Sequence, residues 1–398
     1  MTNSANSAPA LRRGLAGLLA GSFLLAGCSG ASAPSPDALE ASADGLSVEV
    51  LHDALDHPWA VAFLPDGGAL ISERSGTLRH FPAGDDGPDF SGRGELVSGL
   101  PDDLRARNQG GLLDLALHPD FADNHWLYFT YAASVDGGLT TRLARGRFED
   151  GALSDVETLF TAEPGVRGGR HFGSRIVFDD TGRVFVSVGD RGDRDQAQDP
   201  SNHIGTIVRV HDDGSVPDDN PFVGDDARRD EIWAYGVRNS QGMVMDPDTG
   251  VLWENQHGPR GGDEINIIEA GNNYGWPVIS QGEEYSGGPV GDGLTEKEGM
   301  VSPLHHWTPA IAPSGLAVIR DPAFAEWDGD LLTGGLAGRT LLRLTFEDRE
   351  LVNEDEVLPG LDRRVRDVRV HDGAIWVLTD HNPGELLRLR PAGDNGSE

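Results

Sequence analysis

The sequence predicts an all-β protein, a six-bladed β-propeller, and three observations point to it. From about residue 48 onward helical periodicity is almost absent, and short apolar strands alternate with turns rich in Gly, Asp and Asn. One unit recurs: an apolar strand, a turn of the Pro-Asp-Gly kind, then a second apolar strand. Its six copies start roughly 50–75 residues apart, close to the spacing of propeller repeats that carry insertions. A large β-sandwich is the main alternative, but it leaves the repetition unexplained.

The N-terminal segment 1–28 reads as a targeting sequence outside the fold. Arg12 and Arg13 form a short basic region, and residues 14–25 (GLAGLLAGSFLL) form an apolar run. That run is too short to span a bilayer, which needs about 20 residues as a helix. Small residues then lead to Cys28, the chain's single cysteine. The stretch is similar to a bacterial lipoprotein signal, in which the cysteine is acylated; an ordinary secretory signal that contains Cys28 is the alternative. The expectation is an exported protein held at the cell envelope, periplasmic or on the outer surface, by a lipid anchor alone. Residues 29–46, rich in Ser, Ala and Pro, read as a flexible tether. With no second cysteine, the folded part is held together without a disulfide.

The repeats then follow in order over the expected domain, residues 47–391. They are WAVAFLPDGGALISER (59–74), GLLDLALHPDFADNHWLYFTYA (111–132) and SRIVFDDTGRVFVSVGD (174–190). The remaining three are GMVMDPDTGVLWENQHG (242–258), GLAVIRDPAFAEWDGDLLTGGL (315–336) and VRDVRVHDGAIWVLTD (365–380). Each supplies one hairpin of a four-stranded blade around a central channel. Residues 392–398 read as a C-terminal tail.

Charge narrows the partners. Acidic residues number 65 against 32 basic ones, a formal net charge of −33. Phosphate backbones are bound by an excess of Lys and Arg, so nucleic acid is excluded. Lys297 is the only lysine, and arginine carries nearly all the positive charge.

A propeller is a scaffold, so chemistry has to come from the loops between repeats. The densest, WENQHGPRGGDEINIIEAGNNYGWP (253–277), combines Glu254, Asp263 and Glu264 with a Gly- and Pro-rich turn. Oxygen donors of this kind suit Ca²⁺, although a solvated acidic loop reads the same way. YGVRNSQG (235–242) places Arg238 and Asn239 at a blade edge, and Gln109 precedes two glycines at the second repeat. Arg364 and Arg366 alternate at strand spacing, which puts both guanidiniums on one face. They suit a multi-carboxylate ligand, or else surface pairing with Asp362 and Asp367. In GGRHFGSRIVF (168–178), His171 stands at a strand mouth with Arg170 before it.

Taken together, QGGLLDLALHPDF, GGRHFGSRIVF followed by VSVGDRGD, and IWAYGVRNSQG followed by HGPRGGDEIN and NYGWP resemble one family. It is the soluble aldose sugar dehydrogenases dependent on pyrroloquinoline quinone (PQQ), including sorbosone dehydrogenase-like proteins, and the resemblance runs from about residue 50 to 390. It implies a six-bladed propeller that oxidises an aldose at C1 to the lactone, with PQQ and Ca²⁺ as cofactors. His171 matches the family's catalytic base and Asp190 the carboxylate that supports it. Arg238 matches a residue at the quinone oxygens, with both catalytic and cofactor-binding roles. Asn239, Gln109 and Tyr285 match further cofactor contacts, and Arg364 and Arg366 match the pair that holds the PQQ carboxylates. Gly258 and Pro259 match carbonyl ligands of the calcium beside the cofactor. Glu264 and Tyr274 match ligands of a further, structural calcium, the tyrosine through its carbonyl. The resemblance also implies an electron acceptor as partner, a quinone, cytochrome or dye, and a homodimer is compatible with it.

Two departures stand out. Arg170 occupies the place of an acidic residue before the base, and the segment 334–338, where relatives bring a lysine to the cofactor, has none. Two readings from other classes compete: a non-catalytic sugar-binding propeller, favoured by the missing lysine, and a calcium-dependent lactone hydrolase, which has no use for an arginine clamp.

Overall fold

The computed structural model describes residues 45–392. The signal segment with Cys28, the tether up to residue 44 and the tail beyond residue 392 lie outside the described residues.

The six hairpins read from the sequence are the two inner strands of six four-stranded antiparallel sheets. Blade 1 opens with Pro58–Phe63 and Ala69–Glu73, blade 2 with Leu112–Leu117 and Trp126–Val135, and blade 3 with Ile176–Phe178 and Val184–Val188. Blade 4 opens with Ser240–Met245 and Leu252–Gln256, blade 5 with Pro313–Val318 and Leu331–Gly335, and blade 6 with Val365–His371 and Ala374–Thr379. The first strands of successive blades touch in a closed ring, blade 6 returning to blade 1. Second strands such as Val184–Val188 (VFVSV) and Ala374–Thr379 (AIWVLT) are buried along their whole length. Blades stack on both faces of each of these strands, so the strands are mostly apolar and do not alternate.

Side chains stitch neighbouring blades at one recurring place. The Ser72 hydroxyl donates to the Leu113 carbonyl (2.6 Å), Thr130 to Ser174 (2.7 Å), and Ser187 to Ser240 (3.3 Å). The Asn255 amide donates to the Ser314 carbonyl (3.0 Å), and the Ser314 hydroxyl to Val365 (2.7 Å). Each bond satisfies a polar group that burial would otherwise penalise by roughly 1–3 kcal/mol.

The ring closes by an exchange between the two ends of the domain. Leu46–Leu55 pairs with Gly384–Pro391 as the outer strand of blade 6, in the register Leu46↔Pro391 to Leu55↔Gly384. Below the mouth the channel is filled. Arg175 donates to Asp114 and Asp367 (both 2.9 Å), and Arg369 reaches the same two carboxylates at 3.0 and 2.9 Å. The Arg175 guanidinium also stacks on Trp59, 4.5 Å from the ring centre. Two cations and two anions therefore neutralise one another, with Arg175, Asp114 and Asp367 fully buried.

This topology positions the site. Every first strand starts at the same end of the ring, and every second strand returns to it. Residues entering a first strand and leaving a second one therefore share a single mouth. Backbone bonds mark it: Asp190 N–H donates to the Arg238 carbonyl, His257 to Asn239, and Asp380 to Arg364.

Candidate active site

The loop from blade 2 to blade 3 delivers His171 to the mouth in a left-handed conformation, φ 54°. Few non-glycine residues adopt this, and it is sustained here by contacts on both sides. The His171 N–H donates to Oε1 of Gln109 at 2.7 Å. Its carbonyl lies against Gly189, where a Cβ would stand only 2.1 Å from that oxygen, so only glycine fits. Arg191, buried behind the loop, donates to the Arg170 carbonyl and, at 3.2 Å, to that of Gly168. Its guanidinium lies 3.3 Å from the centre of the Phe172 ring, and burial pushes its pKa down to about 9. Sequence reasoning passed over Arg191; its position directly after Asp190 was the available signal.

Asp190 leaves the second strand of blade 3 beneath the imidazole. Its Oδ1 is 2.6 Å from His171 Nδ1 and accepts from the Gly192 N–H at 2.7 Å, while Oδ2 accepts from Trp276 Nε1 at 2.9 Å. Burial opposes ionisation of Asp190, but the bond to His171, the Arg238 charge and the Gly192 amide outweigh it and hold its pKa below the usual value. His171 is also held below its ordinary value. Burial is the main cause, Asp190 works against it, and Arg238 and Arg170 add to it. The imidazole is therefore neutral at neutral pH, with Nδ1 tied to a carboxylate and Nε2 without a hydrogen-bond partner among the described residues.

A cavity is lined by Trp59, Gln109, Phe172, Asn239, Gln241 and His257 together with Arg364 and Arg366; His171 meets it through its chain neighbour Phe172 and its hydrogen-bond partner Gln109. Arg364 donates to Asp380 Oδ2 at 2.9 Å, and Arg366 donates to Gln241 at 2.9 Å and lies 3.5 Å from the same carboxylate. Arg74 reaches Asp380 Oδ1 at 3.3 Å. Three guanidiniums thus share one carboxylate, whose pKa burial would raise and they drive well below the usual range. Pairing of Arg364 and Arg366 with Asp362 and Asp367 does not occur: Asp362 pairs with Arg339, and Asp367 with Arg175 and Arg369. Arg74 and Asp380 went unread because they come from the ends of different hairpins, far apart in sequence.

Arg238 is buried over Trp276, 5.1 Å from its ring centre, and donates to the His257 carbonyl at 3.1 Å. Its Nε has no partner, and neither has Nε of the buried Arg366. The orphaned Nε–H of Arg366, which lines the cavity, fits an anionic ligand. Asn239 Oδ1 accepts from the Gly173 N–H at 3.2 Å. Burial, aided by Arg238, pushes the pKa of His257 down to about 3, so this ring is a neutral wall bonded to the Pro313 carbonyl.

Gly258 and Pro259 are buried next to Arg238, and Asp263 fixes their turn by accepting from the Gly258 and Ala312 N–H groups (2.7 and 2.6 Å). Neither the Gly258 nor the Pro259 carbonyl receives a hydrogen bond from the described residues. Nearby, Glu254 and Glu264 are buried side by side, both contacted by the Asn266 amide. Burial pushes their pKa values up to about 8 and about 7, with Glu264 adding to the first and Asp263 to the second. Oε1 of Glu254 has no partner, and neither carboxylate forms an ion pair with an arginine or lysine among the described residues. Among the described residues no three His, Cys, Asp or Glu side chains converge on one point. The Tyr274 hydroxyl is engaged with the Ile267 carbonyl (2.6 Å) and the Glu269 N–H (2.9 Å), leaving only its carbonyl free for another role.

Tyr285 corrects the expectation of a cofactor contact. It is 72% exposed and does not line the cavity. A tight turn, in which Glu284 N–H donates to Gly288 O and Gly287 N–H to Glu284 O, lifts it into solvent.

The family profile described as Glucose / Sorbosone dehydrogenase matches residues 55–388. The aldose sugar dehydrogenase YliI of Escherichia coli is 42% identical over 360 residues, covering 89% of this chain and 95% of its own. Quinoprotein glucose dehydrogenase B of Acinetobacter calcoaceticus is 29% identical, covering 88% and 92%. Among solved structures, the PQQ-bound aldose sugar dehydrogenase of Streptomyces coelicolor superposes with a TM-score of 0.71 at 27% identity, over 88% of this chain and 99% of that one.

Proposed function

The chain belongs to the Glucose / Sorbosone dehydrogenase family, and from there we propose that it oxidises aldose sugars at C1 to the lactone, with PQQ and calcium as cofactors and His171 as general base. The observation that carries this reading is the His171–Asp190 pair, on a loop whose next residues, Phe172 and Gly173, line the cavity that also holds Arg364 and Arg366.

The residues present fit the cofactor. PQQ is flat and carries three carboxylates, and the cavity offers Arg74, Arg364 and Arg366 with the unpaired Nε of Arg366. The free carbonyls of Gly258 and Pro259 fit a hard cation beside it, and the buried Glu254 and Glu264 fit a second one. When bound, the quinone supplies the hydride acceptor, and the calcium beside it polarises the quinone carbonyl.

The protein's own residues do the rest. His171 Nε2 takes the proton of the C1 hydroxyl as the C1 hydrogen leaves with its electron pair, and the C1–O bond becomes the lactone carbonyl. Asp190 holds the Nδ1–H tautomer and stabilises the imidazolium, a task suited to an ionised, buried carboxylate. The buried Arg238, with its Nε–H unpaired, would stabilise negative charge developing on a bound quinone.

The test is reconstitution of the purified protein with PQQ and Ca²⁺, followed by an aldose panel with an artificial dye acceptor. Dye reduction and a changed cofactor spectrum are expected. No reduction with any aldose sinks the reading and leaves a non-catalytic sugar binder. Export and lipid anchoring at Cys28 are proposed alongside, and a Cys28→Ser variant released from the membrane fraction checks them.

A further inference from the structure

The protein is strongly acidic, yet its uncommitted positive charge is gathered in one place. Among the described residues the exposed cations without a carboxylate in ion-pair range include Arg105, Arg107, Arg167, Arg170 and Arg260, all on mouth loops. Away from the mouth, on the outer edge of blade 1, Arg93 is also unpaired, as is Lys297 on the long loop of blade 4. Elsewhere arginines are answered by Asp or Glu, as a chain of net charge −33 makes easy. The mouth loops thus carry arginines without an ion pair, interleaved with exposed carboxylates such as Asp102 and Asp193.

These arginines are densest around the base. Arg170 directly precedes His171, and its guanidinium lies over Gly192, where a Cβ would meet it at 2.3 Å. Glycine there gives the side chain its seat beside the imidazole. The loop of Arg107 packs on the same segment: Gln109 N–H donates to the Gly169 carbonyl at 2.9 Å, and Arg107 Cγ lies 3.6 Å from where a Cβ of Gly169 would be. Arg167 flanks the loop on its other side, after the Leu139–Val166 bridge. The Arg170 charge reaches the imidazole, being one of those that lower its pKa. These arginines are distinct from Arg74, Arg364 and Arg366, which already share Asp380 inside the cavity.

We propose that the preferred substrate is an aldose carrying an acid group away from C1, a uronate or an aldose phosphate, whose anion is received by Arg170 with Arg107 and Arg167 while C1 meets His171. This rests on the dehydrogenase reading above and names its substrate class. Guanidinium forks pair with carboxylate and phosphate alike, so the two acids are separate arms of the test.

The holoenzyme, loaded with PQQ and Ca²⁺, is assayed with D-glucuronate, D-glucose 6-phosphate and D-glucose at low and high salt. At least one acid is expected to exceed glucose in kcat/KM by about 10- to 100-fold, the range of a charged hydrogen bond. The gain should lie mainly in KM and shrink at high salt, where screening shortens to a few ångströms. In Arg170→Glu, and in Arg107→Glu as a second variant, the preference should collapse. In Arg93→Glu it should persist. Equal or better turnover of glucose, without a salt effect, overturns the proposal and leaves the dehydrogenase reading standing. If no aldose is oxidised, that reading fails and calorimetry on the same protein tests the arginines directly. Binding of either acid, lost in Arg170→Glu, then upholds the anion site, and binding of neither overturns it.

Discussion

Nδ1 of His171 stands 2.6 Å from Oδ1 of Asp190, and the other oxygen of that carboxylate is occupied by Trp276 at 2.9 Å. With both oxygens engaged the aspartate cannot rotate, and it holds the hydrogen on Nδ1. The lone pair of Nε2 is thereby aimed at the mouth.

Replacing His171 with Gln should lower kcat by roughly 10²- to 10⁴-fold, the usual contribution of a positioned base. PQQ binding, followed by the cofactor's absorbance, should change little, because the arginines lining the cavity remain. Normal turnover would remove His171 from the role.

The pH profile follows from the sign of the histidine shift. Burial holds the His171 pKa below 6.5, so the base stays deprotonated somewhat into acid. Activity is lost only as pH falls through that lowered value. The acid limb of kcat/KM should therefore lie below about 6.5, the ordinary histidine value. In Arg170→Gln one charge that disfavours the imidazolium is gone, so the limb should move to higher pH. A limb that moves down contradicts the electrostatics described.

Asp380 joins Arg74, Arg364 and Arg366 in one buried cluster. Asp380→Ala leaves three like charges facing one another. Breaking a buried ion pair on one side typically costs about 3–5 kcal/mol, and urea unfolding of the variant should report a loss of that order. Loading the variant with PQQ should recover part of it, since the cofactor's carboxylates replace the missing anion.

Chelation tests the buried Glu254–Glu264 pair. A cation between two carboxylates with no basic partner binds the native state far better than the unfolded chain, so its removal lowers stability. EDTA should reduce the melting temperature and Ca²⁺ should restore it. In a Glu254→Gln, Glu264→Gln double variant the response should shrink, what remains being that of the cation proposed on the Gly258 and Pro259 carbonyls. An undiminished response in that variant places the stabilising ion elsewhere.

The inner half of every blade was legible in the sequence because a hairpin is local. A turn of fixed chemistry between two apolar runs can be recognised within about 20 residues. The placement of His171 and Arg238 at blade entrances was legible because each lies in an unbroken motif there. What escaped was whatever depends on closure of the ring. The strand Leu46–Leu55 belongs to blade 6, and nothing near it in sequence announces a partner at residues 384–391. Asp114, Arg175, Arg369 and Asp367 neutralise one another from three different blades. Asp380 likewise became visible as the anchor of the arginine clamp only once the mouth was assembled. Tyr285 was misplaced for the opposite reason: its long loop has no strand pattern, and turn geometry alone decides where it points.

The pairing of Leu46–Leu55 with Gly384–Pro391 also sets an order of events during synthesis. Blades 1 to 5 can each pair from neighbouring sequence as the chain emerges, but the last sheet needs one strand made first and three made last. Until then the early strand has an open edge and no partner, and edges of that kind invite wrong pairing. Contacts of such long sequence separation slow folding. Ring closure is therefore expected to be the slow step, and a nascent chain stalled before residue 384 is the species most exposed to aggregation.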